Sequence, residues 1–204
     1  MKPETAAIRP CVVGCVLRDI RFDVASYNSF IDLQDKLHQN ICRRRTLASM
    51  GTHDLDKIRG PITYEAVTPS EIVFQALKQD REMDANALFE VFKSDVKMKK
   101  FLPILEPFDK YPVFFDADRQ VLSLPPIINS ERTKITLDTQ NVFIEITGTD
   151  IQKTKICLAV LAAQFGEYCQ GEWKHKVEQV KITYEADSSK SELTPTMSYI
   201  DFEV

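Results

Sequence analysis

Eight short runs rich in Val, Ile, Phe and Thr are spread along the chain, and only three stretches of helical periodicity interrupt them. The strand candidates are Cys11 to Leu17, Thr46 to Met50, Ile62 to Val67, Val113 to Asp116, Val121 to Leu124, Val142 to Thr147, Val177 to Tyr184 and Ser198 to Val204. Phe30, Leu33, Leu37 and Ile41 recur at helical spacing on one face, and Leu88, Val91 and Phe92 do the same after a cap at Asp84. A third helix starts at a cap on Asp150 and points Ile151, Leu158, Leu161 and Phe165 inward. Strands and helices do not alternate, which excludes a doubly wound nucleotide fold. The class is α+β, with mixed and antiparallel sheets flanked by about three helices. No domain boundary is visible: residues 11–204 read as a single compact domain behind a polar tail over 1–10. Asp187 to Pro195 reads as a surface loop between two strands.

With 26 Lys+Arg against 30 Asp+Glu, the formal charge of −4 excludes a generic polyanion binder, so any nucleic-acid contact is local. No unbroken apolar run, that containing Cys157 to Ala163 included, approaches the roughly 20 residues that span a bilayer. The start Met1-Lys2-Pro3-Glu4 has no signal core, and these features predict a soluble, cytoplasmic protein with no membrane contact. Cys11, Cys15, Cys42, Cys157 and Cys169 form no C-x-x-C pair and read as reduced structural thiols. G-x-G-x-x-G, G-x-x-x-x-G-K-[ST], G-x-S-x-G and H-E-x-x-H are all absent, which removes the commonest dinucleotide, NTP, serine-hydrolase and zinc-protease readings. His38, His53 and His175 lie in different elements, and no metal site is expected from them.

Four segments carry possible chemistry. On the helix of Leu33 to Ile41, continued to Arg43-Arg44-Arg45, the positions of Gln34, His38 and Arg45 fall within an arc of about 40° beside the apolar stripe. Arg44 would land inside that stripe, so the helix is expected to end near Arg43. Arg43 and Arg44 then complement its dipole, and Arg45, leaving on a turn or strand, is a candidate phosphate or ribose contact. In Gly51-Thr52-His53-Asp54-Leu55-Asp56 the carboxylates and His53 could ligate a metal, but an oxygen-ligand site gathers more groups than this, and the favoured reading is an ordinary turn or structural segment. Tyr111 to Asp116 and Val121 to Leu124 make a hairpin, after which Pro125-Pro126 ends the ladder and is expected to hold the chain extended up to Asn129. That amide can fix a ligand carbonyl or ribose, or merely tie down a loop. In Val142 to Thr147, alternation puts Val142, Ile144 and Ile146 on one face and Phe143, Glu145 and Thr147 on the other. Glu145 then either faces solvent or lines a pocket wall, with Gly148 allowing close backbone approach. The Lys97-Met98-Lys99-Lys100 cluster is either a secondary polyanion contact or a solvated helix end.

Leu33-Gln34-Asp35-Lys36-Leu37-His38, Gly51-Thr52-His53-Asp54-Leu55-Asp56, Leu122 to Ser130 and Thr147-Gly148-Thr149-Asp150, taken in this order and spacing, resemble the amino-acid editing domain of phenylalanyl-tRNA synthetase β subunits of the archaeal and eukaryotic cytosolic type. The resemblance covers about Arg9 to Tyr184. It implies an excised domain with an added Met1. It also implies binding of the aminoacylated 3' end of phenylalanine tRNA and hydrolysis of the ester when tyrosine has been attached by mistake. The α subunit is the implied partner, in an α2β2 heterotetramer, and ATP and magnesium belong to its site, with no cofactor for editing. Carried over residue by residue, the tRNA-end and catalytic positions fall on Gln34, Asp35, Arg45 and Asn129, and the side-chain pocket on Phe114, Ser123, Glu145 and Thr147. The chain departs from the family pattern by a shorter acid at Asp35, an aromatic ring in place of an aliphatic residue at Phe114, and a longer acid at Glu145.

An apolar synthetic pocket rejects an added hydroxyl by only about a hundredfold, so a second sieve that reads the hydroxyl is needed. Glu145 beside Thr147 and Ser123 supplies the acceptor, and with no Ser-His-Asp set in view the nucleophile is expected to be a water positioned by Asn129, Gln34 and the terminal ribose. Two other readings compete: a module that binds tRNA or an amino acid without hydrolysis, and a structural brace for the α subunit.

Overall fold

The computed structural model describes residues 1–169 and 177–196; the strand expected over Ser198–Val204, and His175, lie outside them. In chain order the regular elements are β1 (Cys11–Leu17), α1 (Val24–Gln39), β2 (Ala48–Asp54), β3 (Thr63–Val67), β4 (Val73–Phe74), β5 (Met83–Asp84), α2 (Ala85–Ser94), β6 (Tyr111–Phe115), β7 (Val121–Leu124), β8 (Ile128–Asn129), β9 (Val142–Gly148), α3 (Ile151–Phe165), β10 (Val177–Tyr184) and β11 (Asp187–Thr194). They form a single compact α+β domain of three helices around a five-stranded sheet (β11-β10-β1-β9-β2), a four-stranded sheet (β3-β6-β7-β8) and a two-stranded ribbon (β4-β5). Every pairing among the described strands is antiparallel.

The helices begin where acidic caps satisfy their first free amides. Asp84 Oδ1 accepts from Ala87 N at 2.8 Å and Asp150 Oδ1 from Lys153 N at 3.0 Å, as expected. α1 starts earlier than its apolar stripe, at a reciprocal box between Asp23 and Ser26. It covers one face of the five-stranded sheet together with α3. There Val13, Cys15 and Leu17 of β1 and Val142, Ile144 and Ile146 of β9 meet Phe30, Leu158, Leu161 and Phe165. Each such side chain contributes about 1.5–3 kcal/mol on full burial. A second core packs α2 against β6 and β7, and Val12, Tyr64, Phe114 and Leu122 join the two sheets. All five cysteines are buried and form no disulfide.

Four local expectations are corrected. Gly51 to Asp54 is not a turn but the second half of β2, because it pairs residue for residue with β9, from Ala48↔Gly148 to Asp54↔Val142. Tertiary pairing thus overrides turn composition. Asp187 to Thr194 is not a loop but β11, whose polar residues pair with β10 along an exposed hairpin. Pro125-Pro126 does not hold the chain extended. It sits in a turn closed by Ile127 N to Leu124 O at 2.8 Å, after which β8 pairs back on β7 with Asn129 opposite Ser123. Finally, α1 ends at Gln39, and Arg43, Arg44 and Arg45 all occupy left-handed backbone, with φ of 50°, 52° and 68°.

The first ten residues pack onto this frame. Lys2 N donates to Tyr64 O at 2.9 Å, Pro3–Ala7 forms a 3-10 helix, and Thr5 and Arg9 are buried.

Candidate functional site

The face of the five-stranded sheet turned away from α1 and α3 carries Glu145 in the middle of β9, flanked in register by Gly14 of β1 and Gly51 of β2. Glycine at Gly51 makes room: a methyl carbon there would fall 2.8 Å from the Glu145 carboxyl carbon and 2.9 Å from His53 Nε2. The Glu145 side chain does not face solvent; the residue is 2% exposed. Ser123 Oγ on β7 donates to its Oε1 at 2.8 Å. His53 Nε2 stands 3.9 Å from the same oxygen, while His53 Nδ1 shares a hydrogen bond with Thr133 Oγ1 at 2.8 Å. Burial pushes the Glu145 carboxyl above the usual carboxylate range, and His53, Ser123 and the Arg9 charge pull it partly back.

Beside Glu145 lies a cavity of about 20 Å³, lined among others by His38, Arg45, Ser49, Pro126 and Asn129. That volume suits one water-sized group. His38 Nε2 accepts from Met50 N at 2.8 Å, which places the ring proton on Nδ1. Burial, and then the charge of Arg45, hold His38 neutral, well below the usual histidine range. Arg45 donates to the carbonyls of Pro126 (3.2 Å) and Ile127 (2.8 Å), clamping the proline turn, and its guanidinium lies 4.3 Å above the Phe101 ring. Burial lowers its pKa, and the charge of Asp35, itself exposed on α1, favours the cation. Three polar atoms of cavity-lining residues, His38 Nδ1, Arg45 Nε and Glu145 Oε2, are buried without a protein partner. Two donors and one acceptor of this kind can hold a group that both accepts and donates, such as a hydroxyl.

Arg9 closes the other side. It is buried, with Nε donating to Thr147 Oγ1 at 3.0 Å and its terminal nitrogens to the carbonyls of Thr147 (2.9 Å) and Arg45 (3.3 Å). Ser49 Oγ and Thr147 Oγ1 share a further bond at 3.0 Å. Desolvation lowers the Arg9 pKa, and Tyr64 and Glu145 oppose this.

The structure therefore brings Arg45, Asn129, Ser123 and Glu145 together, with Thr147 on the adjoining β9 position. Gln34 stands one step back: its Nε2 donates to Met50 O (3.1 Å) and its Oε1 accepts from Thr52 Oγ1 (3.2 Å), while the Thr52 carbonyl accepts from Asn129 Nδ2 (3.4 Å). Phe114 stacks on Tyr64 with ring centroids 4.6 Å apart, in the apolar layer between the sheets. Asp35 is at the surface. Sequence reasoning missed Arg9 and the facing roles of Ser49, Gly51 and His53. The alternation Ser49, Gly51, His53 in β2 was a usable signal; Arg9 left none. Among the described residues no three His, Cys, Asp or Glu gather to hold a metal, and no helix is long and apolar enough to cross a membrane.

A family model described as the B3/4 domain matches residues 17–164. Over 204 residues the chain is 54% identical to the cytoplasmic phenylalanine–tRNA ligase beta subunit of Arabidopsis thaliana, with 100% of this chain and 33% of that protein covered. Over 196 residues it is 46% identical to the phenylalanine–tRNA ligase beta subunit of Homo sapiens, covering 96% of this chain and 33% of that protein. It thus spans about a third of the length of the curated relatives it matches. The crystal structure of an N-terminal fragment of the phenylalanyl-tRNA synthetase β subunit from Pyrococcus horikoshii has the same fold, with TM-score 0.86 and 32% identity over 100% of this chain and 55% of that one.

Proposed function

The chain belongs to the B3/4 domain family, in the form found in phenylalanyl-tRNA synthetase β subunits of eukaryotic and archaeal type, and from that premise we propose that it hydrolyses the ester of tyrosine mischarged onto phenylalanine tRNA. The observation that carries the proposal is the buried Glu145 carboxylate, with one oxygen held by Ser123 and the other unpartnered beside a polar cavity. A phenol hydroxyl donating to that second oxygen satisfies it; phenylalanine leaves it bare, and the penalty for an unpaired buried acceptor supplies the discrimination.

The cavity takes a water-sized group and not a ring, so its walls, the Pro125-Pro126 turn among them, have to give way before a tyrosyl side chain enters. Arg45, which grips two carbonyls of that turn, sets how easily it moves and is placed to meet the phosphate or ribose of the tRNA end. Asn129, tied to Thr52 and through it to Gln34, orients the ester carbonyl and the attacking water together with the terminal ribose. An aminoacyl ester is already activated, so positioning is sufficient chemistry. In the full ligase the α subunit, in an α2β2 assembly in the cytoplasm, would carry the ATP- and magnesium-dependent step.

Incubating this chain with tyrosine-charged phenylalanine tRNA and following tyrosine release tests the proposal. Release well above the spontaneous rate supports it; binding without release leaves a non-hydrolytic module.

A further inference from the structure

We propose that the turn Arg43–Arg45 and the lysine turn Lys97–Lys100 form one cationic rim that grips the phosphates of a single-stranded RNA end beside the cavity; that the RNA is the tRNA end rests on the function proposed above. The first ground is backbone strain. Three consecutive non-glycine residues hold left-handed φ values of 50°, 52° and 68°, a conformation that glycine or asparagine adopts more cheaply. Thr46 Oγ1 donating to Arg43 O at 2.7 Å and Arg9 donating to Arg45 O at 3.3 Å hold the strained turn in place. What arginine adds over the cheaper residues is a run of guanidinium groups.

The second ground is a cluster of cations that form no ion pairs. Arg43, Arg44, Lys97, Lys99 and Lys100 are all exposed, and none forms an ion pair with a described carboxylate, in a chain whose net charge is −4. Elsewhere on the surface Lys57, Lys93, Lys134 and Lys153 are each paired, and unpaired cations such as Lys36, Lys78 and Lys110 stand apart in sequence, so what sets the rim off is five unpaired cations on two short turns. The third ground joins the two turns: one Phe101 ring takes the Arg45 guanidinium at 4.3 Å and Lys100 Nζ at 5.2 Å. The lysine turn is itself fixed, with Asp95 Oδ1 accepting from Lys97 N at 2.7 Å and Met98 N at 3.0 Å.

Guanidinium forks and ammonium groups suit phosphate oxygens. Phe101 is buried and offers no face to a base, so the rim follows the backbone and ignores sequence. The partner is therefore a single-stranded polyphosphate chain, not an acidic peptide.

The test is fluorescence anisotropy of this chain with a short, unstructured, labelled RNA over a range of salt. Each phosphate neutralised on a single strand steepens the slope of log K against log salt by about 0.7. The double variant Arg44→Gln/Lys100→Gln is expected to bind roughly tenfold more weakly and to flatten that slope by about 1.4, with an unchanged unfolding midpoint. The control Lys57→Gln/Lys134→Gln, which removes lysines paired with Asp54 and Glu131, is expected to bind like the parent. The rim is refuted if its variant keeps parental affinity and slope, if the control loses as much, or if a polyglutamate peptide displaces the RNA at equal charge. A chain that binds RNA through the rim but releases no tyrosine refutes the hydrolytic function and leaves the rim standing. If tyrosine is released and the rim variant changes neither affinity nor KM, the rim fails alone.

Discussion

Ser123 Oγ donates to Glu145 Oε1 at 2.8 Å, tying the four-stranded sheet to the five-stranded one through a carboxylate that is otherwise buried. This bond fixes which oxygen of Glu145 is occupied and which is left for a ligand. Its position depends on Gly51, whose missing side chain leaves the volume that the carboxylate fills.

Gly51→Ala is accordingly expected to displace the Glu145 carboxylate and His53. The added methyl meets them inside a packed layer, and overpacking of this kind costs about 1–3 kcal/mol. Chemical denaturation should show that loss, and deacylation by the folded variant should lose its preference for tyrosine. A variant with parental stability and preference would show that the two side chains move aside freely.

How far the sequence announced this site follows from where pairing decides structure. Helix caps at Asp84 and Asp150 and the two-faced pattern of β9 were legible because both depend on local spacing. The strand Gly51 to Asp54 and the hairpin strand Asp187 to Thr194 were not, since polar residues and glycine take strand geometry there only because a partner strand exists. The left-handed arginine turn and the burial of Arg9 were likewise invisible, being set by contacts between residues far apart in sequence. Of the site positions carried over from the resemblance, Arg45, Asn129 and Glu145 line one cavity; Ser123 holds Glu145 from behind, Phe114 and Thr147 lie in adjoining layers, Gln34 acts through Thr52, and Asp35 is at the surface.

The neutral, buried His38 makes stability depend on pH. Its folded pKa lies below its unfolded value, so its contribution is present above about pH 6.5 and is lost as pH falls through that point, because only the unfolded chain then takes up the proton. His38→Gln is expected to be less stable than the parent at pH 8. The gap should close by up to about 1.4 kcal/mol per pH unit below 6.5. Parallel pH dependences of the two unfolding free energies would contradict this.

Asn129 donates to the Thr52 carbonyl at 3.4 Å, a long bond that contributes little to the fold. Asn129→Ala should therefore cost less than about 1 kcal/mol of stability while lowering the rate of tyrosine release substantially. Stopped deacylation time courses beside thermal melts separate the two. A variant that unfolds readily yet, where folded, hydrolyses normally would make Asn129 a loop anchor only.

The most direct measurement compares Glu145→Ala with the parent in deacylating tyrosine-charged and phenylalanine-charged tRNA. A hydrogen bond to a buried carboxylate is worth about 1.5–3 kcal/mol, so the tyrosine-to-phenylalanine rate ratio is expected to fall roughly ten- to a hundredfold. Hydrolysis of the phenylalanine ester should change little. An unchanged ratio in a folded variant would contradict the account and remove Glu145 as the reader of the hydroxyl.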